Sequence, residues 1–296
     1  MLKNIIKAIK NPPLALSWLW HKLLGIRLID NRDFVGAIGN RSISDNGDYI
    51  VAVKQALNNY QEFSKFKKHI WYQPILEHVN RDQGAQFLEI IKSESPTFLN
   101  LVEKFKENDL LGGSIKFYYK DIGEISPSTL RYIKVASDLR NLFGEVIGDK
   151  IAEIGVGYGG QLLIADKVLR FNQYDLFDLP PVLDLASKYL ESHILNSSYN
   201  TFTINQHRGD VEYDLVISNY SFSELPSNLQ KLYIKKIISK SKKGYLTMNS
   251  GQPNSIFQND KLSLSELENL MPKFELIPEN PLTHPGNYII FWNRSH

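Results

Sequence analysis

Apolar positions in the first half of this chain recur every three or four residues, the spacing of helices that bury one face. "DYIVAVKQALNNYQEFSKF" from Asp48, "QGAQFLEIIKS" and "SPTFLNLVEKF" all read this way. "SPSTLRYIKVASDLRNLFG" carries its own punctuation: Ser126 is placed to cap a helix, Pro127 to fill its first position and Gly144 to close it. Between these stretches "NDLLGGSIKFYYKDIGEIS" predicts a glycine-containing loop with a hairpin.

From Lys150 strands alternate with helices. "KIAEIG", "QYDLFDL", "YNTFTIN", "YDLVISN" and "GYLTMNS" read as strands, and "GQLLIADKVLR", "PPVLDLASKYLESH" and "SNLQKLYIKKIISKS" as helices. Ser227 with Gln230, and Ser263 with Glu266 in "SLSELENLM", have the spacing of capping boxes. "KFELIPE" and "NYIIFWN" close the chain with no helix between them, and their link is too short for a parallel return, so that pair must be antiparallel. The expectation is an α/β fold: a Rossmann-like, mostly parallel sheet with an antiparallel last strand, preceded by a helical region. The change of pattern divides the chain into residues 1–149 and 150–296.

The turn in "KIAEIGVGYGGQLLIADKV" bears chemistry. Gly155, Gly157 and Gly160 match the G-x-G-x-x-G pattern of dinucleotide sites, a weak signal alone but here set between a strand and a helix. Glu153, two residues before the first glycine, would repel a pyrophosphate and attract a cation. Asp178 ends the next strand, where it can bind ribose hydroxyls or cap the helix that starts at Pro180. None of the 15 tyrosines has a lysine four residues later, which removes the Tyr-Lys pair of short-chain dehydrogenases.

These segments resemble the class I S-adenosylmethionine-dependent methyltransferases: "EIGVGYGG" their first motif, "DLFDLP" the acidic end of the second strand, "YDLVISN" the fourth. A narrower resemblance, carried by "NDLLGG", "SPSTLRYIKVASDL", "EIGVGYGGQ", "YDLFDLPPVLDLASKYL", "SNYSFSEL" and "PGNYIIFW", is to the sugar O-methyltransferases of bacterial polysaccharide gene clusters. The resemblance implies S-adenosylmethionine as cofactor and a sugar, sugar-nucleotide or glycan hydroxyl as acceptor. It places Glu153, Gly155, Gly157, Tyr158 and Gly159 at the methionine end and Asp178 at the ribose. Asn205 and Gln206 fall near the adenine, and Asn219 and Tyr220 between cofactor and acceptor. The family motif often has glycine where this chain has Val156. The helical region would act as a lid that recognises the acceptor, with Asp109, Arg131 and Tyr132 facing it.

A sugar hydroxyl must lose its proton as it is methylated. Topology offers three bases: His284 in the loop before the last strand, Glu224 after the fourth strand, and His207 between the third and fourth. Each has a plain alternative as a loop residue. No His/Asp/Glu spacing marks a metal site. The absence of cysteine excludes disulfides and thiolate chemistry and fits a cytoplasmic location. A net charge of +2 writes in no general attraction to nucleic acid. Lys3, Lys7 and Lys10 at helical spacing, with Trp18 and Trp20 beyond, would suit weak contact with the inner face of a membrane; docking on the protein body is the simpler reading. A methyltransferase of amines or other small metabolites, a nicotinamide oxidoreductase and a non-catalytic scaffold are the competing readings.

Overall fold

Helix α1 (Gly47–Asn58) opens the part of the chain that the computed structural model describes, residues 47–249 and 261–294. The basic and tryptophan-bearing N-terminal stretch lies outside the described residues. Helix α2 (Arg81–Glu94) is capped reciprocally by Asn80 and Gln83. A hairpin of β1 (Phe117–Tyr119) and β2 (Gly123–Ile125) leads into α3 (Pro127–Phe143). The punctuation of α3 is as expected: the Ser126 side chain accepts from Thr129 N, Pro127 is the first residue, and Gly144 ends the helix at φ +83°.

Seven strands then build the main sheet: β3 (Lys150–Ile154), β4 (Gln173–Phe177), β5 (Ser198–Phe202), β6 (Tyr213–Asn219), β7 (Ser241–Met248), β8 (Glu275–Pro278) and β9 (Tyr288–Asn293). Their order is β5-β4-β3-β6-β7-β9-β8. β3 through β7 are parallel, and β9 runs antiparallel between β7 and β8. This is the Rossmann-like sheet expected from the sequence. Helices α4 (Gly160–Ala165), α5 (Pro180–Leu190), α6 (Ser227–Lys236) and α7 (Leu264–Leu270) accompany it.

Both faces of the sheet are buried, as a parallel sheet requires. Ile151, Tyr174, Leu215 and Tyr245 join one core, which also takes in Tyr49, Phe87 and Leu139 from α1, α2 and α3. Ala152, Ile154, Val216 and Leu246 join a second core on the other face. The described helices before Lys150 therefore bury their apolar stripes in the same core as one face of the sheet.

Local expectations fail in three places. "SPTFLNLVEKF" is a 3-10 segment, Pro96–Leu101, followed by a single α-turn, Val102–Phe105. Helix α4 stops at Ala165, and the next residue, Asp166, accepts through its carboxylate from Asn196 N and from Ser197 N and Oγ. The Ser227 capping box does not form: Pro226 is the N-cap, and the buried Gln230 side chain instead donates to Phe222 O and accepts from Leu262 N.

Candidate active site at the switch point

Strand order reverses between β3 and β6, so the loops leaving their C-terminal ends diverge and open a crevice, the position where open α/β sheets bind ligands. The glycine turn forms one wall. Gly155 (φ +79°) and Gly157 (φ +55°) take conformations that residues with a Cβ rarely adopt. The Gly155 N–H donates to Phe177 O at 2.8 Å, tying the turn to β4. Asp178 Oδ2 accepts from Val156 N at 2.8 Å and Gly157 N at 3.3 Å, while Oδ1 accepts from Leu179 N at 2.7 Å. The N-cap of α5 is Leu179 and has no side-chain cap, so the alternative role of Asp178 as helix cap is not the one adopted. Its carboxylate orders the glycine turn.

Glu153 lies beneath this turn, 2% exposed. Its Oε2 accepts from Tyr174 OH at 2.8 Å, and among the described residues no cation stands within ion-pair distance. Burial pushes its carboxyl up to about 8; Asp178 adds to the rise and the Tyr174 bond moderates it. Tyr158 is buried and turned inward, its OH accepting from Asn108 Nδ2 at 3.0 Å, with Lys67 Nζ 4.1 Å from its ring centroid. Lys67 donates to Asn108 O at 2.6 Å, and burial lowers its ammonium to about 8. Asp109 accepts from Ser126 N at 2.7 Å and Thr129 Oγ1 at 2.8 Å, so it fastens the start of α3. A Cβ at Gly159 would meet Leu190, and one at Gly160 would meet the rings of Tyr132 and Tyr158.

Asn219 and Tyr220 form the opposite wall, at the end of β6. Asn219 Nδ2 donates to Gln161 Oε1 at 3.3 Å, and Gln161 Nε2 donates to Tyr132 O at 3.2 Å. Asn219 Oδ1 is buried without a partner. Tyr220 sits at φ +69°, an uncommon backbone state for a bulky residue and one that marks functional turns. Its OH donates to Glu279 Oε1 and lies 3.2 Å from Thr283 Oγ1. Glu279 also accepts from Thr283 N at 2.9 Å. The Arg131 guanidinium stands 5.9 Å from the Tyr220 ring and 5.5 Å from that of Tyr132, with Nη2 donating to Leu76 O at 3.1 Å. Arg131, Asn219, Tyr220 and Glu279 line a cavity of about 20 Å³, room for about one water. A larger cleft of about 660 Å³ lies where Arg140 and Arg170 both pair with Glu145; it is lined by none of the candidate site residues.

The three base candidates are not brought together. His284 is exposed, its Nδ1 3.2 Å from Pro285 O, while the same loop delivers Glu279 and Thr283 to Tyr220. Glu224 Oε1 accepts from Asn249 Nδ2 at 2.8 Å beyond β7, and burial raises its carboxyl despite Asn249 and Lys261. His207 is buried in a closed network. Tyr213 OH donates to Asp175 at 2.7 Å, so its oxygen accepts from His207 Nε2 at 3.2 Å, and His207 Nδ1 accepts from Gly209 N at 3.0 Å. Asn205 and Gln206 are exposed on the turn after β5, where Gln206 Oε1 accepts from Thr203 N at 3.1 Å. Sequence reading missed Glu279, Thr283 and Gln161. Glu279 and Thr283 lie in the same loop before the last strand that carries His284, the residue whose type alone marks it as a base.

Among the described residues no three His, Asp or Glu side chains gather as a metal site, and no helix is long and apolar enough to cross a membrane. No family model and no curated protein matches this chain. Among solved structures it is similar to an S-adenosylmethionine-dependent methyltransferase from Clostridium acetobutylicum, with 11% identity over 54% of this chain and 89% of that one, TM-score 0.44. It is also similar to an S-adenosylmethionine-dependent methyltransferase from Aquifex aeolicus, with 13% identity over 53% and 87% of the two chains, TM-score 0.39. A third is the Haemonchus contortus phosphoethanolamine N-methyltransferase 2 in complex with S-adenosyl-L-methionine, with 15% identity over 66% and 46%, TM-score 0.40.

Proposed function

We propose that this chain is an S-adenosylmethionine-dependent O-methyltransferase whose acceptor is a hydroxyl of a sugar or glycan intermediate of cell-surface polysaccharide synthesis in the bacterial cytoplasm. The observation that carries the cofactor is Glu153, a buried carboxyl with no cation beside it among the described residues, under a glycine turn tied to Asp178. A buried acid of this kind is costly unless a positive group joins it, and the nucleoside cofactor brings a sulfonium and an ammonium. Pyrophosphate would bring the wrong sign, which disfavours the nicotinamide reading.

The bound cofactor would supply an electrophilic methyl group, and the protein's share of the reaction is alignment, charge and proton transfer. Glu153 and the Gly155–Gly157 turn hold the methionine end, Asp178 the ribose, and Asn205 with Gln206 the adenine edge. Gly159 and Tyr158 support the turn from below, Tyr158 through its bond to Asn108. Asn219 and Tyr220 border the transferring methyl. Arg131 and Tyr132 face the acceptor, while Asp109 acts through α3. Glu279, bonded to Tyr220, joins His284, Glu224 and His207 as a proton acceptor, and it is the one that shares a cavity with Asn219.

Calorimetric titration with S-adenosylhomocysteine, and with NAD and NADP in parallel, tests the reading. Micromolar binding of the nucleoside alone is expected. Binding of a dinucleotide in its place would overturn the assignment.

A further inference from the structure

Arg131 is 6% exposed and lies on α3 at the crevice. A guanidinium offers five N–H donors and stays charged at any physiological pH. Here one nitrogen donates to a carbonyl, Leu76 O, and Nε is buried with no partner. No carboxylate among the described residues forms an ion pair with it. Glu77, whose charge reaches it, lies outside ion-pair distance, and burial pushes that carboxyl toward its neutral form. Lys134, in the same cavity, is by contrast paired with Asp138 at 2.6 Å. A buried cation left this way is destabilising unless something negative completes it.

A second orphan shares the cavity. Asn219 Oδ1, an acceptor, is buried without a donor, and Arg131 Nε, a donor, is buried without an acceptor. A single water could satisfy both in the cavity, but it would leave the Arg131 charge uncompensated. A hydroxylated molecule bearing an anionic group would displace it and supply acceptor, O–H and negative charge together. Glu279, in the same cavity, takes Tyr220 OH and Thr283 N and disfavours a second negative charge beside it. The cavity is thus lined by both signs of charge, Arg131 and Glu279, with Asn219 also in its wall.

We propose that the methyl acceptor is anionic: a hydroxylated molecule bearing a carboxylate or phosphate that docks on Arg131, its hydroxyl end held against Asn219 Oδ1. This rests on the methyltransferase reading and names the acceptor class of that site. The guanidinium of Arg131, 5.5 and 5.9 Å from the rings of Tyr132 and Tyr220, would bind two oxygens of one anion with its planar fork in place of Leu76 O. Lysine would keep the charge and lose the fork.

The test is a binding titration on protein saturated with S-adenosylhomocysteine, using glucuronate, glucose 1-phosphate and glucose as probes. At least one anionic probe should bind ten or more times tighter than glucose. Arg131→Gln should bring that probe to the level of glucose, and Arg131→Lys should fall between, with nucleoside affinity unchanged in both. Whichever anion leads identifies the charged group as carboxylate or phosphate. Glucose binding as well as both anions, none of the three binding at 10 mM, or an anion preference that survives Arg131→Gln would each overturn the proposal. Loss of nucleoside affinity in Arg131→Gln would overturn it too, by assigning the guanidinium to the cofactor's own carboxylate. Failure of the wild-type protein to bind the nucleoside at all would instead sink the methyltransferase reading. If Arg131→Gln does not fold, Arg131→Lys carries the comparison.

Discussion

Glu153→Gln removes a charge and little else. The amide keeps an oxygen for Tyr174 OH, now 2.8 Å from the carboxylate, and nearly the same volume. The gap between an ordinary 4.5 and about 8 is worth about 5 kcal/mol, at about 1.4 kcal/mol per pH unit, as an order of magnitude. Between those values the folded chain keeps a proton that the unfolded chain gives up. Wild-type stability therefore falls as pH rises from about 4.5 to 8 and levels off above. Glutamine does not titrate and lacks this slope. The variant should gain on the wild type by about 3 kcal/mol at pH 7 relative to pH 4.5, and by about 5 kcal/mol above pH 8. Urea unfolding at pH 5, 7 and 8.5 measures the difference directly. A difference constant across that range, or a variant less stable at pH 8.5 than its pH 5 offset implies, would refute the argument. The same variant should bind S-adenosylmethionine more weakly, because the cation loses its counter-charge. Gain in stability with loss of affinity is the signature of a group kept for binding rather than for packing.

Asp178→Ala should weaken S-adenosylhomocysteine binding ~10- to 100-fold, since charge-assisted hydrogen bonds to ribose and to the glycine turn go together; unchanged affinity in calorimetry would remove it from the ribose site. Glu279→Gln and His284→Ala should be compared in a methyl-transfer assay. Glu279→Gln is expected to cut turnover while leaving nucleoside affinity intact, and full activity in that variant together with loss in His284→Ala would move the proton acceptor to the exposed histidine. Tyr213→Phe removes the partner of His207 Nε2 and of Asp175 Oδ2 and should cost about 1–3 kcal/mol of stability. Its nucleoside affinity should not change; a selective loss of turnover at normal stability would return His207 to the chemistry.

What could be read from the sequence was local or periodic. Helix α3 was legible because Ser126, Pro127 and Gly144 act within a few residues of themselves, and the antiparallel last strand because its link is short. What could not be read depends on partners far along the chain. Ser227 and Gln230 have capping-box spacing, yet Gln230 is claimed by Leu262, 32 residues away. Tyr158 stands inside the glycine motif, but Asn108, 50 residues earlier, turns its ring into the core. Glu279 meets Tyr220 across 59 residues, and nothing near "IPENP" announces that pairing. The lysines of "YIKKIISKSKKG" fasten loops far along the chain: Lys236 Nζ donates to Ile204 O at 2.9 Å and His207 O at 2.6 Å.

The turn's glycines answer to two different demands. Gly160 is explained by packing alone, since a Cβ there would press on the rings of Tyr132 and Tyr158, which are fixed by their own neighbours. Gly157 is different. The nearest atoms to a Cβ there are the terminal methyls of Leu76, at 2.8 and 3.1 Å, on a flexible side chain that can move. Its φ of +55° lies in the left-handed region, where asparagine is also found. Packing alone therefore does not demand glycine at this position; the left-handed backbone is what favours it. The turn still presents a bare backbone there, above a buried acid and beside the carboxylate of Asp178. Under the methyltransferase reading proposed above, a ligand that touches the main chain there and brings a positive group over the buried Glu153 would account for the bare turn.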